Sequence, residues 1–454
     1  MQDSFSHNKQ KKLYFEVIIG YTFYILGGKE MKITGLITEY NPFHNGHKYH
    51  IEEAKRLTGA DYIVVVMSGD FVQRGAPACM DKYLRTQMAL CCGADIVLEL
   101  PVLFATASAE YFALGAIKML DSLGFVDSVC FGSELGELAP LDRITEILLN
   151  EPANYKNTLA YHLQYGDTYP VARRKALLRE LPDNDEALYE EILASPNNIL
   201  GMEYIKALKL LHSSMKPYTI KRKIANYHDQ NLNSEISSAT SIRNELSKNN
   251  LLSLKDTVPK PVFKILEENY QKLFPIETDD FSSELYHKLL YTTSDLLMNY
   301  LDMNEDLCLR ICKYINQYQT ISQFSQLLKS KNYTMTRINR SLCHVLLQLM
   351  QNDLHPAIWH KNEERYLLDN RILPQYIRIL GLRKEASFLL KKKNLKNTLP
   401  LVTKVADARN ILSPEAFNMF TMDLKASSLY QRKIYEKYST VIAGEYKQGV
   451  IIME

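Results

Sequence analysis

The chain has 454 residues, 46% apolar and 23% charged, with 54 basic against 52 acidic side chains. This is the mix of an ordinary globular protein of two or three domains, and it excludes collagen-like, low-complexity and disordered classes. A net charge of +2 does not by itself announce a nucleic-acid binder. Seven cysteines without a CxxC pair read as reduced thiols rather than a disulfide framework.

Lys11 and Lys12 precede an apolar run, Leu13 to Gly28, that contains Glu16 and falls short of the roughly 20 residues that span a bilayer. Gly27-Gly28-Lys29-Glu30 can be encoded by a purine-rich string of the ribosome-binding type. Residues 1–30 are therefore expected to be a translated upstream leader, with Met31 the true start, the alternative being a short membrane anchor.

From Met31 the pattern alternates. Strand Lys32–Thr38 leads to helix Gly46–Leu57. Strand Tyr62–Met67 leads to helix Asp81–Cys92, and strand Ile96–Leu100, stopped by Pro101, to helix Ala105–Leu123. Strand Ser128–Gly132 follows. Short strands alternating with helices imply a parallel sheet with right-handed crossovers. Residues 140–194 are helical and charged, as in an insertion. A strand at Tyr218–Lys223, a polar loop and a helix from about Thr240 follow. Pro259, Pro261 and Pro275 punctuate a domain boundary near 260–280. Beyond it the sequence reads as helices from about 282 to 351 and again from 374. Cys308 and Cys312 lie four apart on an apolar helical stretch. With no Cys/His pair nearby to complete a metal site, both read as core thiols.

Charge is divided unevenly. Residues 31–150 carry 9 basic and 15 acidic side chains, whereas residues 300–404 carry 17 basic and 8 acidic. The contrast suggests a polyanion-binding half attached to a less basic catalytic half.

The first strand runs into Tyr40-Asn41-Pro42-Phe43-His44-Asn45-Gly46-His47. A strand entering a helix N-terminus at the carboxyl edge of a parallel sheet is where phosphates bind. Gly46 allows close backbone approach to an anion. His44 and His47, three apart, can both donate hydrogen bonds to charge developing at phosphorus. This HxGH arrangement resembles the signature of the nucleotidylyltransferase superfamily. Downstream, Ile236-Ser237-Ser238-Ala239-Thr240-Ser241-Ile242-Arg243 resembles its ISSTxIR motif, with Ser237, Ser238, Thr240 and Arg243 as phosphate ligands. In isolation the same segment reads as an ordinary Ser/Thr N-cap.

The strings GLITEYNPFHNGHKYHIEEAK, VVMSGDFVQRGAPA, DKYLRTQMALCCGADIVLELP, FGSE, SPNNILGMEYIKAL and ISSATSIR occur in this order. Together they resemble the bacterial tRNA(Met) cytidine acetate ligase family over nearly the whole chain from Met31. The resemblance implies an α/β fold, with a Rossmann-like parallel-sheet nucleotidyltransferase domain over 31–260 and a mainly α-helical tRNA-binding domain over 261–454. It implies activation of acetate with ATP as acetyl-adenylate, then acetylation of the exocyclic amine of the wobble cytidine of elongator tRNA(Met) in the cytoplasm. Magnesium is expected to accompany the nucleotide, and no membrane or obligate protein partner is implied. Carried over, the ATP site comprises Ile37, Thr38, Glu39, Tyr40, Asn41, Pro42, Phe43, His44, Asn45, Gly46, His47, Lys48, Tyr49 and His50, together with Gly132, Asn198 and Arg222, with His44 and His47 catalytic. Alone, Asn198 reads as a helix cap and Arg222 as a sheet-edge cation.

Among other residues, Asp70 reads equally as a ligand for magnesium or the incoming amine and as a loop cap. Lys82 and Arg85 read equally as phosphate contacts and as a solvated first turn, and Glu99 as a buried structural carboxylate. Lys329, Lys331, Arg337 and Arg340 around Tyr333, and the block Lys391, Lys392 and Lys393, are candidate tRNA contacts, with Tyr333 a candidate stacking ring. A small-molecule nucleotidylyltransferase making a nucleotide cofactor is the alternative, but it has no need of a basic helical domain.

Overall fold

The computed structural model describes residues 31–182, 185–222, 238–354, 360–362, 365–367, 373–391 and 399–454. The leader reading of residues 1–30 lies outside them, as do Ser237, Lys392, Lys393 and the side chain of Lys391.

Residues Ile33–Glu454 form one compact unit built on an eight-stranded sheet. The first half supplies β1 (Ile33–Thr38), β2 (Tyr62–Ser68), β5 (Ile96–Leu100), β6 (Ser128–Ser133) and β7 (Lys216–Lys221), with the short hairpin β3 (Phe71–Val72) and β4 (Ala76–Pro77) beyond the end of β2. β1, β2 and β5 run parallel in one direction across the sheet, and β6 and β7 continue in parallel on the other side of β1. The strand order therefore reverses at β1. In an open α/β sheet the crevice outside the carboxyl ends at that reversal is the ligand site. The strands read as near-continuous apolar runs because both faces are covered. Ile63 through Met67 are all fully buried.

Helix α1 (Asn45–Thr58) follows β1 and buries Ile51, Ala54 and Thr58. α2 (Lys82–Cys91) precedes β5, and α3 (Val102–Ala105) and α4 (Ala109–Ser122) follow it. Between β6 and β7 lie α5 (Leu138–Asn150), α6 (Ala153–Gln164), α7 (Tyr169–Glu180), α8 (Glu186–Ala194) and α9 (Pro196–Leu210). α10 (Ala239–Ser247) and α11 (Lys260–Asn269) follow β7.

The second half is largely helical. It includes α12 (Ser282–Leu290), α13 (Ser294–Leu297), α14 (Glu305–Tyr314), α15 (Ile321–Leu328) and α16 (Met335–Leu347), then a two-stranded β8–β9 (His360–Asn362, Arg365–Leu367). α17 (Ala408–Ile411) and the 25-residue α18 (Pro414–Tyr438) follow later. One expectation is corrected here. The stretch from 374 does not begin as helix but as β10 (Ile377–Arg383), antiparallel to β5 and joined by β11 (Leu401–Val402) and β12 (Ile451–Met453). Four aliphatic residues, a glycine and two arginines over seven positions carry no period that separates a buried strand from a helix, and the pairing with β5 decides it.

A buried ion network ties the halves together. Lys82 is fully buried, with Nζ 2.7 Å from Glu99 Oε1, 2.8 Å from Ser427 Oγ on α18 and 3.2 Å from Glu445 Oε1. Arg378 on β10 lies 3.0 Å from Glu99 and is also paired with Glu445. Burial alone would lower the Lys82 pKa, but Glu445, Glu99 and Asp70 hold it above its ordinary value. Glu99 is thus the structural carboxylate expected. Of the two candidate core thiols, Cys308 is buried and Cys312 is exposed.

Candidate functional site

β1 ends in a turn through Tyr40, whose φ is +47°. Tyr40 and Phe43 are fully buried, and both rings pack against His47. This plug fixes where α1 starts. His44, extended at φ −144° and ψ 175°, is the N-cap. The Gly46 backbone N–H donates to His44 Nδ1 at 3.1 Å, and the His44 N–H donates to His47 Nδ1 at 3.2 Å. The rings stack with centroids 3.7 Å apart. A histidine pair thus makes the reciprocal box that a Ser/Thr–Glu pair makes elsewhere.

This arrangement fixes the chemistry of both rings. A backbone N–H can only donate, so each Nδ1 is an unprotonated acceptor and each neutral ring carries its proton on Nε2. Burial, then the positive fields of Arg222 and Arg243, push His44 down to about 3. Burial, then His44, Arg222 and His50, hold His47 well below the ordinary histidine range. Burial and Arg222 bring His50 to about 4, against a hydrogen bond to the Cys130 backbone. Nε2 of His50 is buried with no hydrogen-bond partner among the described residues. At neutral pH the helix N-terminus therefore presents two Nε2–H donors, neither of which needs to be protonated first. The Gly46 N–H is taken up by the cap.

Two arginines converge on the same edge. Arg243 Nη1 donates to the Asn41 carbonyl at 2.7 Å, and its Nη2 to Thr240 Oγ1 at 3.1 Å. Ser238 caps α10 by accepting from the Ser241 N–H at 3.1 Å, which is the ordinary N-cap role. On the other side, the stem of Arg222 lies flat on Gly132, where an added Cβ would stand 3.1 Å from Arg222 Cγ. Arg222 Nη1 donates to Asn197 Oδ1 at 3.2 Å. Glu134 accepts from the Asn197 side chain at 2.6 Å and the Asn198 N–H at 2.8 Å. Buried Asn198 in turn accepts from the Leu135 N–H at 3.2 Å. Asn198 is therefore not the cap of α9. Glu134 holds that helix start from outside and, through Asn197, positions Arg222. Glu134 of FGSE and Asn197 of SPNN carry no local mark of this role. Two acceptor-rich motifs closing on one cation was the available signal.

The remaining stretch divides by environment. Ile37 and Thr38 end β1, and Glu39 accepts from the Gln73 N–H at 3.0 Å. Asn41 Oδ1 accepts from the Cys79 N–H at 2.7 Å, and Asn45 anchors α1 to the Asp256 and Thr257 carbonyls. Lys48 is exposed and lies 3.7 Å from Glu52. Tyr49, Glu53, Leu57, Thr219, Ile220, Lys221 and Arg222 line a groove of about 380 Å³ between α1 and β7.

Three other readings are resolved. Asp70 is buried, its carboxylate accepting from the Lys82 N–H at 2.9 Å and Ser427 Oγ at 2.7 Å, so it caps its loop. Neither Lys82 nor Arg85 forms a solvated first turn or faces a phosphate. The Arg85 guanidinium is fully buried and donates to the carbonyls of Glu39, Ser68, Gly69 and Met80, clamping the carboxyl ends of β1 and β2. Tyr333 is buried, its hydroxyl donating to Asn304 at 2.8 Å, and so offers no exposed stacking face. Lys329 and Lys331 are exposed, Arg337 is half-buried, and Arg340 pairs with Asp302 at 2.8 Å. Among the described residues no group of three or more His, Cys, Asp or Glu is placed to hold a metal ion, and no helix is long and apolar enough to cross a membrane.

A helix N-terminus bearing two neutral histidines, set at the strand-order reversal of a parallel sheet and flanked by arginines, defines a nucleotidyltransferase. The HIGH Nucleotidyl Transferase family model matches residues 31–443. The tRNA(Met) cytidine acetate ligase of Acetivibrio thermocellus is 39% identical over 429 residues, covering 93% of this chain and all of that protein. The protein of the same name from Thermoanaerobacter sp. is 41% identical over 402 residues, covering 88% of this chain and 95% of its own. The crystal structure of Thermotoga maritima TmcAL superposes with a TM-score of 0.84 at 31% identity, over 93% of this chain and all of that one. A second form, bound with alpha-thio ATP, gives 0.83. The chain belongs to the tRNA(Met) cytidine acetate ligase family.

Proposed function

We propose that this protein uses ATP to activate acetate and transfers the acetyl group to the exocyclic amine of the wobble cytidine of elongator tRNA(Met). The observation that carries the reading is the paired histidine cap, with both Nδ1 atoms occupied by backbone N–H groups and both Nε2–H groups free of that duty.

Acetate oxygen attacks the α-phosphorus of ATP, the bond to the bridging oxygen breaks, and pyrophosphate leaves with the electron pair. Negative charge grows on the α-phosphoryl oxygens, where the Nε2–H groups of His44 and His47 donate. Arg222 and Arg243 supply fixed positive charge, and no protein nucleophile is needed. The cytidine N4 then attacks the acetyl carbonyl carbon, AMP leaves, and N4 gives up one proton. That amine is a poor nucleophile because its lone pair is delocalised into the ring. A mixed anhydride makes the acyl group reactive, and a positioned tRNA supplies proximity.

The nucleotide's own phosphates would carry magnesium, as is usual for an ion that binds through one or two carboxylates plus substrate oxygens. The segment over 31–260 would perform activation, while the basic helices over 261–454 would hold the tRNA, with Lys329, Lys331, Arg337 and Arg340 and the Lys391–Lys393 block as contacts. A tRNA substrate places the reaction in the cytoplasm. Acetate-dependent exchange of labelled pyrophosphate into ATP, without tRNA, tests the activation half. Exchange that is absent, or that ignores acetate, refutes it.

A further inference from the structure

Between Leu307 and Asn352 the chain contains no aspartate or glutamate, while Arg310, Lys313, Lys329, Lys331, Arg337 and Arg340 fall within it. In a chain whose charges are otherwise nearly balanced, 46 residues without an acid form an unusual tract. It folds as α14, α15 and α16, which pack on one another. The cations are brought together rather than scattered. Arg310 on α14 donates to the carbonyls of Leu328 and Lys329 at 3.2 and 3.3 Å, docking it beside the exposed Lys329–Lys331 turn. The Arg310 guanidinium lies 5.8 Å and Lys313 Nζ 5.3 Å from the centroid of the half-buried Tyr314 ring. Arg337, at the start of α16, stands over Tyr333 with its Nε unpartnered.

Acidic groups near this face are few and engaged or distant. Asp302 is paired with Arg340 and also faces Arg337, Asp306 is engaged with Tyr333 one turn before Arg310, and Glu305 and Asp306 lie two turns from Lys313. No acidic side chain pairs with Lys313, Lys329 or Lys331 among the described residues. The face also adjoins the catalytic half. Gly75, in the β3–β4 hairpin at the end of β2, has φ +73°, and a Cβ there would stand 2.3 Å from the backbone nitrogen of Arg340. Only glycine allows that hairpin to lie directly against the first turns of α16.

We infer that the surface formed by Arg310, Lys313, Tyr314, Lys329, Lys331 and Arg337 is an RNA-docking face, with Tyr314 rather than Tyr333 as its aromatic contact; this rests on the tRNA-acetylation reading. Unpaired lysines bind a phosphate backbone by releasing its counterions. A tyrosine flanked by cations offers an unstacked base a partner. An acidic protein would satisfy the lysines but would leave the tyrosine without a role.

The test uses the full chain and unmodified elongator tRNA(Met) in a salt-titrated binding assay. The triple variant Lys313→Ala, Lys329→Ala, Lys331→Ala should reduce the slope of log affinity against log salt by about two to three, at roughly 0.7–0.9 per lost phosphate contact. Tyr314→Ala should weaken binding about 5- to 150-fold, and Tyr314→Phe should retain it. Acetate-dependent pyrophosphate exchange without tRNA should stay at the wild-type rate in all three, which controls for folding. Intact exchange together with an unchanged salt slope overturns the docking face. Failure of the wild-type protein to exchange pyrophosphate or to bind tRNA overturns the underlying reading instead.

Discussion

His44 carries two duties that one substitution can separate. Its Nδ1 caps α1 by accepting from the Gly46 N–H at 3.1 Å, and its Nε2–H is the donor assigned to the α-phosphate. Asparagine can supply the first and not the second, since its side-chain oxygen stands where Nδ1 stands and asparagine ranks among the best N-caps. His44→Asn should keep the helix start and lose mainly the ring stacked at 3.7 Å on His47, so its unfolding free energy should stay within about 1 kcal/mol of wild type. His44→Ala loses the cap as well and should be less stable by about another 1 kcal/mol. Both should lose a transition-state donor, worth about 2.7–4 kcal/mol or 10²–10³ in rate. Urea denaturation measures the first quantity and acetate-dependent pyrophosphate exchange the second. A His44→Asn protein that exchanges at the wild-type rate would show that the histidine is a cap and nothing more.

His47→Ala should likewise slow exchange by about 10²-fold or more, while tRNA binding measured by filter retention is unchanged. Lys82→Met leaves two buried carboxylates, Glu99 and Glu445, to share Arg378 alone and should cost about 3–5 kcal/mol in urea denaturation; a loss below about 1 kcal/mol contradicts the network. His44 and His50 have folded pKa values of about 3 and 4, below the ordinary 6.5. The stability these neutral rings confer is therefore complete above pH 6.5 and declines as pH falls from there towards 4, by up to about 1.4 kcal/mol per pH unit per histidine. In the folded protein the two rings do not titrate between pH 5.5 and 8, so exchange should show no histidine-like step in that range. Propionate should be activated more slowly than acetate, by about 10- to 200-fold, because a misfit methylene is worth only about 1–3 kcal/mol.

The first half is legible because its signals are local. A strand, a turn and a helix start each leave a mark within a few residues, and the His44–His47 spacing carries its chemistry with it. What could not be read depends on partners far away in sequence. Lys82 and Arg85 look like a solvated helix start until α18, Glu445 and the ends of β1 and β2 close over them. Asp70 caps through the nearby Lys82 N–H, but its second oxygen is held by Ser427, more than three hundred residues on. β10 hides for the same reason: a seven-residue mix of aliphatics, glycine and arginine has no identity until β5 pairs with it. Tyr333 and Tyr314 both sit among cations in the sequence, and only packing buries the first and leaves the second partly open.

On the proposed reaction, free acetate activated by ATP becomes the acetyl group of a tRNA cytidine. Purified protein and unmodified elongator tRNA(Met) should be incubated with labelled acetate and ATP, or with labelled acetyl-coenzyme A alone, and the tRNA digested for nucleoside mass spectrometry. Labelled N4-acetylcytidine is expected at the wobble position only with acetate and ATP, with one AMP and one pyrophosphate released for each acetyl transferred. Labelled cytidine from acetyl-coenzyme A without ATP, or no labelled cytidine from either donor, would contradict it.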